Sequence, residues 1–411
     1  MNNRLKIFNK SILLRILIYS FITIIFFSIA PYFFGNIYKF PPASVFKGNF
    51  IYNPYAEIDS SKWIKANFHA HSRVWFGLTN GSKNRMQNIS NLYKSLDYDL
   101  IGISDYMRIN RYFSNTKYYL PAYEHGFGLS KSHQLVIGDE KVNWFDFVFF
   151  QTLNCKQEIF NKLKKDDNLI AIVHPSMNKA YEPDDFKYLT NYDCLEILRH
   201  DRTSVEFWDT ALSNGHYPTL LADDDNHDIE SPGETGRCFT MINTKSQHKS
   251  DILYSLKCGN TYGVDYLKGD KDFDVKKNNL KYLAKLVNIK VIDKNIFIQL
   301  SSPFKEIKFI GQNGKVMKTS KDSLIANYEF SENDTYIRAE ITFEDNIKYY
   351  LNPFIRYNGN NIEKNIAEVD YTKTYLYRST IVIPAIIIIP VYFRIKKKRL
   401  SKKGSKTDSL T

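Results

Sequence analysis

The chain has 411 residues, 43% of them hydrophobic and 24% charged, a composition that excludes disorder and supports one large domain with a smaller one. Its formal net charge of +12 would suit a nucleic-acid partner, but residues 36–374 hold 43 basic and 43 acidic side chains, so the whole excess lies at the two ends. A neutral middle has no net field to gather a phosphate backbone, and no nucleic acid is expected among the partners.

In chain order, residues 1–35 carry Arg4, Lys6, Lys10 and Arg15 with no acid, and 11–34 form an apolar run interrupted by Arg15. That run is long enough to cross a bilayer, which takes roughly 20 residues. A cleaved signal peptide has a shorter apolar core of about 7–15 residues, and the small-residue site at Ser28 and Ala30 is followed by Pro31, so an uncleaved transmembrane anchor is expected. Residues 36–62 read as a linker.

Between 63 and 270 short apolar runs recur at 66–69, 100–104, 120–123, 134–137, 169–173, 194–198 and 219–222, with helical spacing between some of them at 86–96 and 155–165. Several runs do not alternate, as strands buried on both faces require, so a parallel α/β sheet or barrel is expected, with its chemistry at the carboxyl ends of the strands. Over 280–358 the pattern changes to a small antiparallel β-sandwich: Ile337, Ala339, Ile341 and Phe343 alternate on one face, and Asn313-Gly314 is a hairpin signal. A second transmembrane segment is read at 375–394, where an apolar stretch precedes the basic run 394–399 and Arg378 would snorkel to the interface. Pro384 and Pro390 keep a buried strand or an interfacial helix in competition. With basic flanks at both ends, both termini are placed in the cytoplasm, 395–411 as a basic tail, and the middle of the chain outside a cell membrane whose lipid holds both anchors. The four cysteines, Cys155, Cys194, Cys238 and Cys258, have no metal-binding spacing and read as free buried thiols.

The donors of metal chemistry follow the buried runs. His69 and His71 close the first, Asp105 the second and Glu124 the third; His133 comes just before the fourth; His174, Glu196 and then Asp225 with His227 follow later ones. Ligands must converge within about 2.0–2.2 Å of an ion, and a barrel achieves this when each strand end supplies one or two. A two-residue spacing in extended chain puts His69 and His71 on one face, and Asp225 and His227 likewise.

This ordered set resembles the polymerase and histidinol phosphatase (PHP) superfamily of metallohydrolases. The matching pieces are Phe68-His-Ala-His71-Ser72 for the opening H-x-H, Ile103-Ser-Asp-Tyr106 for the T-D-H segment, Glu124 for the bridging acid, His133, His174-Pro175, and Asp225-Asn-His227 for the closing D-x-H. Tyr106 stands where the family has histidine, and a further family histidine is missing from 72–78. The resemblance implies a distorted (β/α)7 barrel and a multinuclear centre. Carried over, His69, His71, Glu124 and Asp225 would form one site and Glu124, His133 and His174 a second, while a third would keep His227 alone. Two divalent ions (Zn, Mn or Fe) are therefore expected, with a weak third allowed.

The activity so implied is a membrane-anchored, outward-facing metal-dependent hydrolase, a phosphoesterase using an activated water on a small-molecule or envelope phosphoester. Arg73 and His200 follow strand ends and would hold a substrate anion, against the plainer reading as surface charge or a salt bridge; Asp105 would act in the site or orient a ligand histidine, and His227 would touch substrate. The alternative is a non-catalytic, metal-stabilised binding module tethered to the membrane.

Overall fold

The computed structural model describes residues 2–407 except 80, 82, 271, 361 and 363. It divides into two compact units, one made of Met1–Lys39 with Glu368–Thr411 and the other of Phe40–Ala367. In the first unit helices Asn2–Phe34 and Tyr371–Thr407 contain the stretches Ser11–Phe34 and Tyr371–Lys397, each long and apolar enough to cross a membrane. The second segment is thus helical through both of its prolines. Where the helices meet the rest of this unit, Tyr38–Lys39 pairs antiparallel with Glu368–Val369, Thr374 Oγ1 accepts from Ile37 N at 2.9 Å, and Arg378 donates to Phe34 O at 2.6 Å.

The second unit is mixed α/β. One sheet runs Thr219–Ala222, Cys194–Arg199, Leu169–Ile172, Gln134–Ile137, Ala122–His125, with Arg202–Thr203 folded back on Cys194–Arg199; the first three strands are parallel and the next two alternate in direction. Every residue of Thr219–Ala222 and of Leu169–Ile172 is buried, as their largely apolar, non-alternating sequences require. The other sheet carries Leu100–Ile101 and Trp63–Asn67 at one end, then Cys238–Asn243, Thr261–Asp265, Lys348–Tyr357, Tyr336–Thr342, Asn295–Gly311 and Leu286–Ile292. A core that includes Phe68, Leu135, Val173, Leu221 and Ile242 draws on strands of both sheets.

A closed (β/α)7 barrel, expected from the sequence, does not form. Strand Leu100–Ile101 is only two residues long and makes no ladder with Ala122–His125; past the ends of the strands the two sheets are bridged at single residue pairs, Tyr106 to Glu124 and Ala70 to Asn226. Just past this strand, Gly102 N donates to Asn67 O at 2.7 Å and a Cβ at Gly102 would stand 2.8 Å from Phe68 Cα, so only glycine fits the close approach to the first strand. Both bridges lie beside the donor residues.

The antiparallel strands of 280–358 are continuous with this sheet, because Lys348–Tyr357 hydrogen-bonds Thr261–Asp265. The buried Asn352 side chain accepts from Leu220 N at 2.9 Å and donates to Thr261 O at 2.9 Å, tying the two sheets at the same place. From within 36–62, Phe50–Tyr52 adds a further strand to Lys348–Tyr357. Asn313 and Gly314 make the expected turn, both at positive φ, between Asn295–Gly311 and Lys315–Glu329. In Tyr336–Thr342 the alternation is one of chemistry and not of exposure. Ile337, Ala339 and Ile341 enter an apolar core, while Arg338 on the opposite face is only 2% exposed and forms a two-point pair with Asp209 of helix Val205–Ser213, both bonds 2.7 Å. The four cysteines are free thiols.

Candidate metal centre

Glu124, on strand Ala122–His125, is fully buried, and its two oxygens face different neighbours. Oε2 lies 3.1 Å from His71 Nε2 and 3.6 Å from His69 Nε2, and each of these nitrogens is also 3.1 Å from Asp225 Oδ1. Oε1 lies 2.5 Å from His133 Nδ1 and 3.0 Å from His174 Nε2. Ligand bonds of about 2.0–2.2 Å put neighbouring donors roughly 3.0–3.5 Å apart, so most of these separations suit atoms arranged about an ion. The sets His69, Glu124, His174 and His69, His71, Asp225 each converge closely enough to hold one. His69 Nε2 and Glu124 Oε2 are buried and close to these neighbours but make no well-aligned hydrogen bond, a costly state for polar atoms that only serve structure. The donor set, imidazole and carboxylate, fits a divalent cation.

Neighbouring groups fix the donors. Glu196 Oε1 accepts from His69 Nδ1 at 2.8 Å, which turns the lone pair of Nε2 toward the centre, and Oε2 accepts from the His174 backbone N at 2.8 Å. Arg199 Nε donates to Asp225 Oδ2 at 2.6 Å and leaves Oδ1 for the histidines. His174 and Asp225 both hold left-handed backbone, φ 32° and 44°, a strained state for such residues that gathers at functional positions. Gly126 is needed for room: a Cβ there would stand 2.7 Å from the His133 ring.

His69, His71, Glu124, His133, His174 and Asp225 therefore come together as the sequence suggested. His227 lies beside them, its Nδ1 donating to the Asp225 carbonyl at 2.8 Å, with a side chain 18% exposed against 4% or less for the others. Tyr106 stacks on His71 with ring centroids 4.4 Å apart and sets its hydroxyl 3.4 Å from His227 Nε2. Asp105 is elsewhere: its carboxylate accepts from Ser72 N, Ser72 Oγ and Asn110 Nδ2 at 2.7–2.9 Å and so positions the segment that follows His71. His200 donates from Nδ1 to the Asp224 carbonyl at 2.6 Å, and Arg73 is an exposed residue whose side chain lies against Gly77. From the sequence, Glu196 reads as a residue that orients a ligand histidine or caps a helix, and Arg199 as one that holds a substrate anion or makes a salt bridge; the structure has Glu196 on His69 and Arg199 on Asp225. Their partners are distant in sequence, and no local signal identifies them.

The electrostatics describe a centre that holds protons when it holds no cation. Burial disfavours the His71 imidazolium, but Asp225 and Glu124 outweigh it and raise its pKa from 6.5 to about 9. His69 is likewise held well above its ordinary range, against burial, by Asp225 and Glu196. Glu124 and Asp225 are kept well below the usual carboxylate range although burial opposes this, Glu124 chiefly by His133 and Asp225 chiefly by His69. Burial, then the charges of Glu124 and Asp225, push the Tyr106 hydroxyl far above its usual pKa, so it is a neutral phenol. A raised histidine pKa stabilises the metal-free fold fully below about pH 6.5, and that contribution is lost as pH rises through about 9. The melting temperature of metal-free protein should fall over that window. Adding Mn or Zn at pH 7.5 should release protons, read as a binding enthalpy that varies with the ionisation enthalpy of the buffer. A buffer-independent enthalpy would mean that the imidazoles are already neutral.

No family model and no curated protein matches the sequence. Among solved structures, a two-domain protein containing a predicted PHP-like metal-dependent phosphoesterase from Bacteroides vulgatus is similar at 11% identity, over 80% of this chain and 98% of that one, with a TM-score of 0.39.

Proposed function

We propose that the chain is a membrane-anchored phosphoesterase, dependent on two divalent ions, with its site outside the cytoplasm. One observation carries this reading: the Glu124 carboxylate divides its oxygens between two groups of buried donors, with His69, His71 and Asp225 on the Oε2 side and His133 and His174 on the Oε1 side. His69, His71, Asp225 and Glu124 would hold one ion of zinc, manganese or iron, and Glu124, His133 and His174 the other. When bound, such ions supply Lewis-acid polarisation of a phosphoryl oxygen and a nucleophilic water at neutral pH.

The chain's own groups would do the rest. Glu196 would fix the tautomer of His69, and Arg199 would hold Asp225 Oδ2 so that Oδ1 faces the histidines. His227 donates from Nδ1 to a carbonyl, which can only accept, so its Nε2 carries the lone pair; burial lowers its pKa, and it is the most exposed ring of the cluster. It is placed to receive a proton and return it to a departing alkoxide. The ordered likeness to PHP motifs is what favours a phosphoester over other hydrolysable bonds.

Full-length protein loaded with Mn or Zn should hydrolyse p-nitrophenyl phosphate or its diester and lose the activity to a chelator. Two ions bound without turnover on either would sink the hydrolase reading and favour the tethered binding module. The two apolar helices and the basic ends support the proposed topology. In right-side-out cells a C-terminal tag should resist protease while residues 36–374 are cut, and a protected middle would overturn it.

A further inference from the structure

Beside the cluster lies a cavity of about 490 Å³, within the usual range of ligand pockets, whose lining includes Tyr106 and His133. The rest of the wall is mostly apolar: Trp75, Leu78, Phe127 and Trp144. These side chains are unusually open for their type, Leu78 being 86%, Trp144 57%, Phe127 46% and Trp75 39% exposed. The lip is built to stand there. Trp75 and the adjoining Phe76 hold left-handed backbone, φ 52° and 58°, and Trp75 Nε1 donates to the Tyr106 carbonyl at 2.8 Å, fastening the lip to the residue that stacks on His71.

We propose that this cavity binds the aliphatic chain of a phosphoester whose phosphate lies at the metal centre, so that the substrate class is lipid-like phosphoesters. The inference rests on the phosphoesterase reading and narrows it. Three other occupants fit the wall less well. A nucleobase stacks between parallel faces, but Trp75 and Trp144 meet at 76° and Phe127 and Trp144 at 46°. A quaternary ammonium group would be drawn to the rings and repelled by Lys131, which also lines the cavity. A sugar needs hydrogen bonds for each buried hydroxyl, and away from the metal centre the polar side chains of the lining are Thr79, already donating to Val74 O, and Lys131. An aliphatic chain asks only for apolar surface, which Trp75, Leu78, Phe127 and Trp144 supply. Two helices fit to cross a membrane put the chain where such molecules occur.

The test compares ethylphosphonate with hexylphosphonate, which share a non-hydrolysable head and differ by four methylenes, in titrations of the metal-loaded full chain followed by tryptophan fluorescence and calorimetry. Hexylphosphonate should bind at least about tenfold more tightly, since each buried methylene contributes roughly threefold to fourfold. Trp144→Ala and Leu78→Ser, both at exposed positions, should each shrink that ratio. A ratio near one in the native protein, or an undiminished ratio in both variants, overturns the proposal. Hydrolysis of ethyl and hexyl phosphate separates it from the reading beneath it. Chain-length-dependent binding without turnover removes the hydrolase and leaves the pocket, whereas equal binding with equal turnover removes the pocket and leaves the hydrolase.

Discussion

For the proposed two-ion hydrolase, Glu124→Gln is expected to reduce hydrolysis by about a thousandfold or more and to lower the bound metal from two ions to one or none. The substitution keeps the shape of the side chain and removes its charge. It also replaces one of the two acceptor oxygens, now 2.5 Å from His133 and 3.1 Å from His71, with an NH2 group that can only donate. Both groups of donors lose their anionic partner, and whichever way the amide turns, one of them also loses its acceptor oxygen. Glu196→Gln makes a useful contrast, because Glu196 bonds to His69 and to the His174 backbone but not to the other donors, and loss of such an orienting group typically costs about 10–100-fold. Steady-state kinetics and elemental analysis after dialysis give both answers. An active Glu124→Gln protein with unchanged metal content would refute the bridging role.

Arg338→Ala should destabilise the protein by about 3–5 kcal/mol, the range seen when one member of a buried ion pair is removed. Asp209 accepts from Arg338 at two points and from Tyr336 OH at 3.1 Å, and the guanidinium lies 5.4 Å from the Trp208 ring. Without Arg338, Asp209 stays in a site made for a cation, and a cavity opens against Trp208. The measurement is chemical or thermal unfolding at fixed metal. Arg338 also donates to the partly exposed Glu340 at 2.6 Å, so replacing Arg338 and Asp209 with apolar residues and Glu340 with Gln should recover much of the loss, because desolvating buried charges offsets most of their attraction. A loss under about 1 kcal/mol in the single variant would show that the pair is solvated in solution.

The donors were legible in the sequence because each follows a buried apolar run, and such runs end where a sheet presents its residues to a common rim. That logic anticipates that His69, His71, Glu124, His174 and Asp225 converge, without requiring a closed barrel. Closure itself was not legible, since it depends on whether the two-residue strand Leu100–Ile101 can pair on its outer side. Nor were the separate tasks of three consecutive acids. Strand alternation would aim Asp223 and Asp225 alike, but the chain turns into left-handed backbone at Asp225. Asp223 then accepts from Phe68 N, Asp224 gathers the backbone N–H groups of Gly236, Arg237 and Cys238, and Asp225 alone reaches His69 and His71. Asp105 looked like a participant for a similar reason: its partners Ser72 and Asn110 carry no signal of their own.

The pairing of Thr261–Asp265 with Lys348–Tyr357 has a practical side. A chain cut after residue 270 would keep every candidate donor and yet lay bare the full hydrogen-bonding edge of Thr261–Asp265, flanked by Tyr262 and Val264, which are buried in the intact protein. An uncovered edge of that kind recruits strands from other molecules, so the shortened protein would come out of solution as aggregate before its chemistry could be assayed. The C-terminal strands thus serve as a lid on a sticky seam, and the smallest workable fragment of the unit Phe40–Ala367 has to extend through Tyr357.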